Sequence, residues 1–325
     1  MASSSSKKRK GKSAHNYDVA KFKSLLHEDH YSKYTKFRDV LPEAGIEVDV
    51  PEFAPMRAQI NLRKWQRLTK PIQVVGYSLV REFYTNAWVM ESERHLPLTY
   101  TPWVRGKEIN FSPEVIHNVL NLRSHPLPNV ASYHDRKDEK DYRINDILRD
   151  LYVEGAQWVF HNDVRPHFLR RTDLQPMARG WYEFATRSIM LTGNRFEVNL
   201  ERAMLIHSII IGEDIQVDEI IAEQIYKFAN KTGIRTKLLF SGVIQRLCNE
   251  AKVSIPEDTM IPVEPHINSK WMERVRKEMA GRREAPPPKQ QNAEIPQAPP
   301  IQQGFPPNFM AELNNAIAAM KLQNN

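Results

Sequence analysis

The chain has 325 residues and a formal net charge of +7. It is longer than a typical single domain, but both ends read as tails, so one compact body is expected. No window approaches roughly 18 consecutive apolar residues, which argues against a membrane-spanning helix, and the opening segment lacks the apolar run of a secretory signal.

Cys248 is the single cysteine, so neither an internal disulfide nor a zinc knuckle can form, which points to a reducing intracellular compartment. The positive charge is unevenly placed. Lys7, Lys8, Arg9, Lys10 and Lys12 carry five of the 46 basic side chains, and the remaining 41 face 39 acidic ones, leaving +2 for residues 13–325. The body is therefore nearly neutral, and bulk electrostatics give it no claim on nucleic acid. Residues 1–16 bury too little apolar surface to order and read as a disordered basic tail. The run Lys7–Lys12 suits a nuclear import signal or a polyanion contact; the alternative is a solubilising tail. The corresponding location is the nucleus, otherwise the cytoplasm.

A helical body is expected over residues 17–265. From Tyr17, Val19, Phe22, Leu25 and Leu26 recur at helical spacing behind Asp18 as N-cap. Leu41–Pro55 reads as an extended connector or short strand. Residues 56–68 form a basic helix with Arg57, Arg63, Lys64 and Arg67 solvated and Trp65 turned inward rather than free for stacking. Tyr77 to Met90 has a dense core face of Leu79, Val80, Phe83, Tyr84, Ala87 and Trp88. A small β-hairpin near residues 98–111 turns at Arg105-Gly106, with Pro102 marking an edge strand. Ser112-Pro113-Glu114 opens the next helix with an N-cap and a proline at N1.

Residues 123–140 are polar and read as an exposed loop, followed by a helix from about Asp138 to Tyr152. Gln157–Phe160 is too short to classify, and Leu174 to Leu191 resumes helical spacing. Leu200 to Ile211 is apolar on nearly every side and ends at Gly212, as a buried helix should. Val217–Ala229 and Leu238–Ala251 follow across short links, which favour adjacent antiparallel helices. Residues 266–284 hold a short charged helix, 285–307 a Pro/Gln-rich linker, and 308–325 a short amphipathic helix with Met310, Leu313, Ile317 and Met320 on one seam. That last helix could dock self or another protein.

Chemistry-bearing constellations are sparse. The carboxylates Asp135, Asp138, Asp141, Asp146, Asp150 and Glu154 alternate with Lys and Arg as solvated helix faces do, whereas metal-dependent strand transfer needs convergent acids. His27 and His30 flank Glu28 and Asp29 without further ligands, and His207 on an apolar helix reads as a hydrogen-bonded core residue. Cys248 suits an inert buried thiol. No catalytic, cofactor-binding or metal residue is assigned and no cofactor is expected. Outside the tail, Arg165, Arg170 and Arg171, mixed with His167 and Phe168, could pair phosphates while aromatics stack bases; the plainer reading is a surface loop.

Several segments, in order, resemble the putative plant transposon protein domain: Val80-Arg-Glu-Phe-Tyr-Thr-Asn86, Val104-Arg-Gly-Lys-Glu-Ile-Asn-Phe-Ser-Pro113, Trp181-Tyr-Glu-Phe184, Glu201-Arg-Ala-Met-Leu-Ile206 with Ile211-Gly212, and Leu247-Cys-Asn-Glu-Ala251. The resemblance spans about residues 35–255 and implies a mobile-element origin without supplying an active site. The expectation is a non-enzymatic, mainly α protein with a small hairpin and disordered tails, contacting nucleic acid through the basic tail or a protein through residues 308–325. A degenerate transposase or nuclease, or a domesticated scaffold using the Pro-rich tract, is the alternative.

Overall fold

The first helix buries its histidines and leaves its leucines outside. In the computed structural model, which describes residues 16–72, 74–95, 99–123, 132–138, 143–161, 165–254 and 267–284, α1 (Leu25–Lys33) begins later than the apolar spacing suggests. Asp18 does not cap it; its carboxylate accepts from Ala20 N at 3.1 Å in a separate turn, and Ser24 precedes the helix. Leu25 and Leu26 are about half exposed, while His27 and His30 are buried. The imidazoles win the inward positions because Trp88 offers them ring surface, His30 stacking at 4.3 Å and His27 packing edge-on at 5.7 Å.

The single basic helix expected over 56–68 is two pieces, α2 (Ala54–Leu62) and α3 (Gln66–Thr69). Lys64 takes the left-handed backbone at φ +56°, and Trp65 N donates to Ile60 O at 2.9 Å, closing the helix end as a Schellman turn. The turn swings Trp65 into the core, 6.0 Å from the Phe184 ring. Arg63, expected on a solvated face, is buried with it, its guanidinium 5.1 Å from the Trp65 ring.

Next, α4 (Tyr77–Ala87) buries Leu79, Val80, Phe83 and Tyr84 as its periodicity requires, but stops three residues before Met90. The hairpin is β1 (Trp103–Val104) paired antiparallel with β2 (Lys107–Glu108). Arg105 and Gly106 both have positive φ (+46° and +81°), the geometry of a two-residue hairpin turn. Pro102, lacking an N–H, still contributes its carbonyl to Ile109 N at 2.8 Å. α5 (Pro113–Leu120) starts on the predicted Ser112-Pro113 signal and closes at Asn121, φ +51°.

Residues 123–140 are not all loop. α6 (Tyr133–Asp138) forms inside them, with Tyr133 and Arg136 buried; residues 124–131 lie outside the described residues. Its burial is carried by one ring and one guanidinium, which an apolar pattern does not register. α7 (Ile144–Leu151) begins later than Asp138 and buries Ile147 and Leu151.

The unclassified Gln157–Phe160 stretch and the supposed Arg165–Arg171 loop supply strands. β3 (Val159–His161) pairs with β4 (Arg165–Arg170), and after α8 (Pro176–Ser188), β5 (Glu197–Asn199) completes an antiparallel sheet in the order β3-β4-β5. Leu169 and Val198 face each other in register and are both buried, fixing the sheet against the core.

Asn199 then caps α9 (Leu200–Ile211), its Oδ1 accepting from Arg202 N at 3.0 Å, and Gly212 ends it at φ +84°. α10 (Val217–Ala229), α11 (Ser241–Glu250) and α12 (Ser269–Glu284) follow. Short links do not make sequence neighbours the main packing partners here. α9 packs on α8, α6 and α7, while α10 and α11 both pack on α5 and α4. An all-round apolar α9 draws partners from several sides, so the consecutive helices are shared among earlier elements. Described residues up to Ala280 belong to one compact unit, and Arg179 on α8 meets Glu278 on α12 at 3.0 Å.

Candidate functional site

The basic tail residues Lys7, Lys8, Arg9, Lys10 and Lys12, the 285–307 tract and the 308–325 segment lie outside the described residues. Of the internal cluster, the Arg165 backbone starts β4 and Arg170 is exposed at its end. Arg171 is engaged: it meets the buried Glu183 carboxylate at 2.6 Å, and Arg187 meets the other oxygen at 3.0 Å. Burial pushes that carboxyl up, but Arg187 and Arg171 more than offset it, so Glu183 sits below the usual carboxylate range.

His207 is the core histidine its helix suggested. Arg136 Nη1 donates to its Nδ1 at 2.9 Å, and its Nε2 faces Asp150 Oδ2 at 2.9 Å. With one nitrogen accepting from a guanidinium and the other turned to a carboxylate, the ring has no lone pair free for general-base work. Arg136 also donates to Met204 O and Ser208 Oγ and pairs with Glu213 at 3.3 Å, so the network ties α6, α7 and α9 together. Cys248 is fully buried, and burial pushes its thiol up to about 12. Among the described residues, no group of three His, Cys, Asp or Glu side chains could hold a metal ion.

Two clefts remain. The first, of about 420 Å³, lies between α1 and α4. Its polar groups serve one another: Lys23 Nζ donates to Thr101 O at 3.0 Å, Ser24 Oγ lies 2.8 Å from His27 Nδ1, and Asn86 accepts from Lys23 N while donating to Lys21 O and Trp103 O. The Ser24–His27 pair has the spacing of a nucleophile and base. Burial, with Lys23 adding to it, lowers the His27 ring to about 4, a poor base at neutral pH. The pair closes the start of α1 and holds the segment before it.

The second cleft, of about 360 Å³, is different in kind. Lys137 of α6, Arg202 of α9, Lys227 of α10, and Lys231, Arg235 and Lys237 of the following segment all line it. Only two carboxylates do, Glu201 and Glu223, and both turn to Lys137, at 3.5 and 3.4 Å. Among the described residues the other five cations have no carboxylate partner. Burial and the neighbouring Lys227 and Arg38 depress the Lys231 ammonium, whose Nζ lies 4.2 Å from the Phe228 ring centroid. Burial likewise lowers Arg202, whose shielded Nε has no hydrogen-bond partner. Like charges are crowded here with little compensation, a setting in which an anionic ligand would be favoured.

A fully buried residue shapes the basic wall. Arg38, in the segment after α1, donates from Nε to Thr236 O at 2.7 Å, from Nη1 to Lys231 O at 3.2 Å, and from Nη2 to Phe228 O at 3.0 Å and Lys237 O at 3.5 Å. Lys231, Thr236 and Lys237 lie between α10 and α11 outside any helix or strand, so one guanidinium gathers their carbonyls with that of Phe228 in the last turn of α10. Leu41 N to Leu238 O and Leu238 N to Asp39 O, both 2.8 Å, pin the end of the same wall.

Fold and cleft together define a mainly helical protein with a concentrated cationic surface on a body of small net charge. No helix among the described residues is long and apolar enough to cross a membrane. A family model described as putative plant retrotransposon-related domain matches residues 61–254, and the chain belongs to that family. It is a mobile-element-derived protein. All six cleft cations lie within the matched span; Arg38 lies before it. No curated protein and no solved structure matches the chain.

Proposed function

We propose that the protein is a non-enzymatic nucleic-acid-binding component of its element, seating backbone phosphates on the cleft between α9, α10 and the Arg38-held segment. One observation carries this reading: five cations without a carboxylate partner face one concavity. Gathering them there costs stability in the free protein, and a polyanion would supply the missing counter-charge. The tail cations Lys7–Lys12 act as a second, loosely held phosphate contact and as a nuclear import element. The binding role is supported by the cleft.

The test is a salt titration of polynucleotide affinity, using the full chain and the same chain with the five tail cations replaced by alanine. If two to four cleft cations touch phosphates, log affinity should fall against log salt with a slope of about −2 to −4. K227E/K231E should flatten that slope by about 2. A tail-neutralised chain without salt-dependent affinity would leave the tail as the sole contact and refute the reading.

A further inference from the structure

Phe196 is 76% exposed, the most solvent-open of the large apolar side chains among the described residues. It is not on a loose tip. Its carbonyl accepts from Arg171 N at 3.0 Å, its N–H donates to Asn194 Oδ1 at 3.2 Å, and Asn194 is held in turn by Thr192 Oγ1 and Glu197. The Arg171 guanidinium lies 5.7 Å from the ring centroid and is itself fixed on Glu183. The ring is thus held in place in water beside an anchored guanidinium, at a cost of apolar hydration that a stacked ligand would relieve.

The placement matters more than the exposure. Phe196 belongs to the same segment whose Thr192, Gly193 and Asn199 border the basic cleft, and Asn199 caps the helix that presents Arg202 to it. Arg195 directly precedes Phe196 in this segment, and Arg171, although paired with Glu183, keeps its guanidinium beside the ring.

A duplex offers a protein phosphates outside and keeps its bases stacked inside, so an isolated aromatic has nothing to stack on. A single strand offers a phosphate every nucleotide and free base faces. Charge complementarity therefore selects a polyanion, and the ring selects its strandedness. We propose that this face takes single-stranded nucleic acid, one base stacking on Phe196 while adjoining phosphates lie on Arg202 and the cations of the cleft. The inference rests on the phosphate-binding reading above and adds the strand class to it.

The experiment is fluorescence anisotropy on the full chain with labelled oligo-dT, oligo-rU and a mixed duplex, each of about 20 nucleotides or base pairs, comparing F196A, F196W and K227E/K231E. The charge reversal should weaken all three probes. F196A should weaken both single strands about tenfold and the duplex less than about twofold, with F196W restoring the loss. A preference between dT and rU that F196A removes supports the proposal. The stacking inference is overturned if F196A weakens the duplex as much as the single strands, or leaves all three unchanged. It is equally overturned if F196A changes self-association but no nucleic-acid affinity, since the ring would then serve a protein contact. Failure of every probe to bind the unmodified chain would sink the phosphate-binding reading itself.

Discussion

Replacing Arg38 with alanine should damage stability and the cleft together. The side chain is fully buried and directs its donors at the carbonyls of Phe228, Lys231, Thr236 and Lys237. Charge-assisted bonds contribute about 1.5–3 kcal/mol each, but the guanidinium also loses its hydration, and burial depresses it for that reason. The bond to Lys237 at 3.5 Å is at the limit of useful geometry. Three effective bonds, less desolvation, suggest a loss of about 3–4 kcal/mol in R38A, within the range for removing one side of a buried polar cluster. Urea denaturation followed by circular dichroism should show a lower midpoint at unchanged slope. Amide exchange should rise between residues 228 and 238 while α9 stays protected. R38K keeps the charge but not the planar fork and should recover less than half the loss. A loss under about 1 kcal/mol, or a polynucleotide affinity unaffected by R38A, would refute the claim that this residue builds the cleft wall.

Four further outcomes follow from buried groups elsewhere. Glu43 accepts from Gly242 N at 2.8 Å, Val243 N at 2.9 Å and Ser241 Oγ at 3.2 Å, capping α11 from another segment; E43A should cost about 2–3 kcal/mol in chemical denaturation and E43Q about 1. A Cβ on Gly242 would lie 3.2 Å from that carboxylate, so G242A should destabilise by about 1–2 kcal/mol by the same assay. Cys248, with its thiol pushed up to about 12, should react with a thiol reagent at pH 8 only as fast as the protein unfolds, and rapid labelling of native protein would contradict its burial. His27 and His30 are held near 4, below the 6.5 of a free imidazole, so in that window the unfolded chain binds more protons and stability falls as pH drops. The full shift corresponds to about 3 kcal/mol per ring; discounted for partial solvent access it becomes about 1–2, and H30F should flatten the acid limb of a thermal-melt pH series.

Helices whose stability comes from an apolar stripe were legible in the sequence. α4, α5, α9 and α10 begin or end on signals that work locally: Pro113 at N1, Gly212 in the left-handed region, a dense i, i+3, i+4 face. Legibility failed where burial was polar. α1 shows why, since its leucines obey the helical period and stay wet while two histidines go in, because Trp88 some sixty residues on supplies the surface they match. α6 fails for the same reason, with Arg136 reaching His207, Ser208 and Glu213, all brought from elsewhere in the chain. Periodicity measures which face is greasy, and neither helix is held by grease.

The cleft was hidden by an average. A near-neutral body says nothing about where its charges sit, and Lys137, Arg202, Lys227, Lys231, Arg235 and Lys237 are spread over a hundred residues. Only the folding of α6, α9 and α10 around one concavity brings them together, and Arg38, with the backbone bonds of Leu238, holds the segment that carries the last three. The cluster that did stand out, Arg165 to Arg171, is partly occupied with internal work, because Arg171 neutralises Glu183. Its aromatic partner is not the adjacent Phe168 but Phe196, brought in by the strand that pairs with β4. A basic–aromatic motif read along the chain paired this guanidinium with a neighbouring ring that it does not meet, since ring partners are set by sheet register and not by sequence distance.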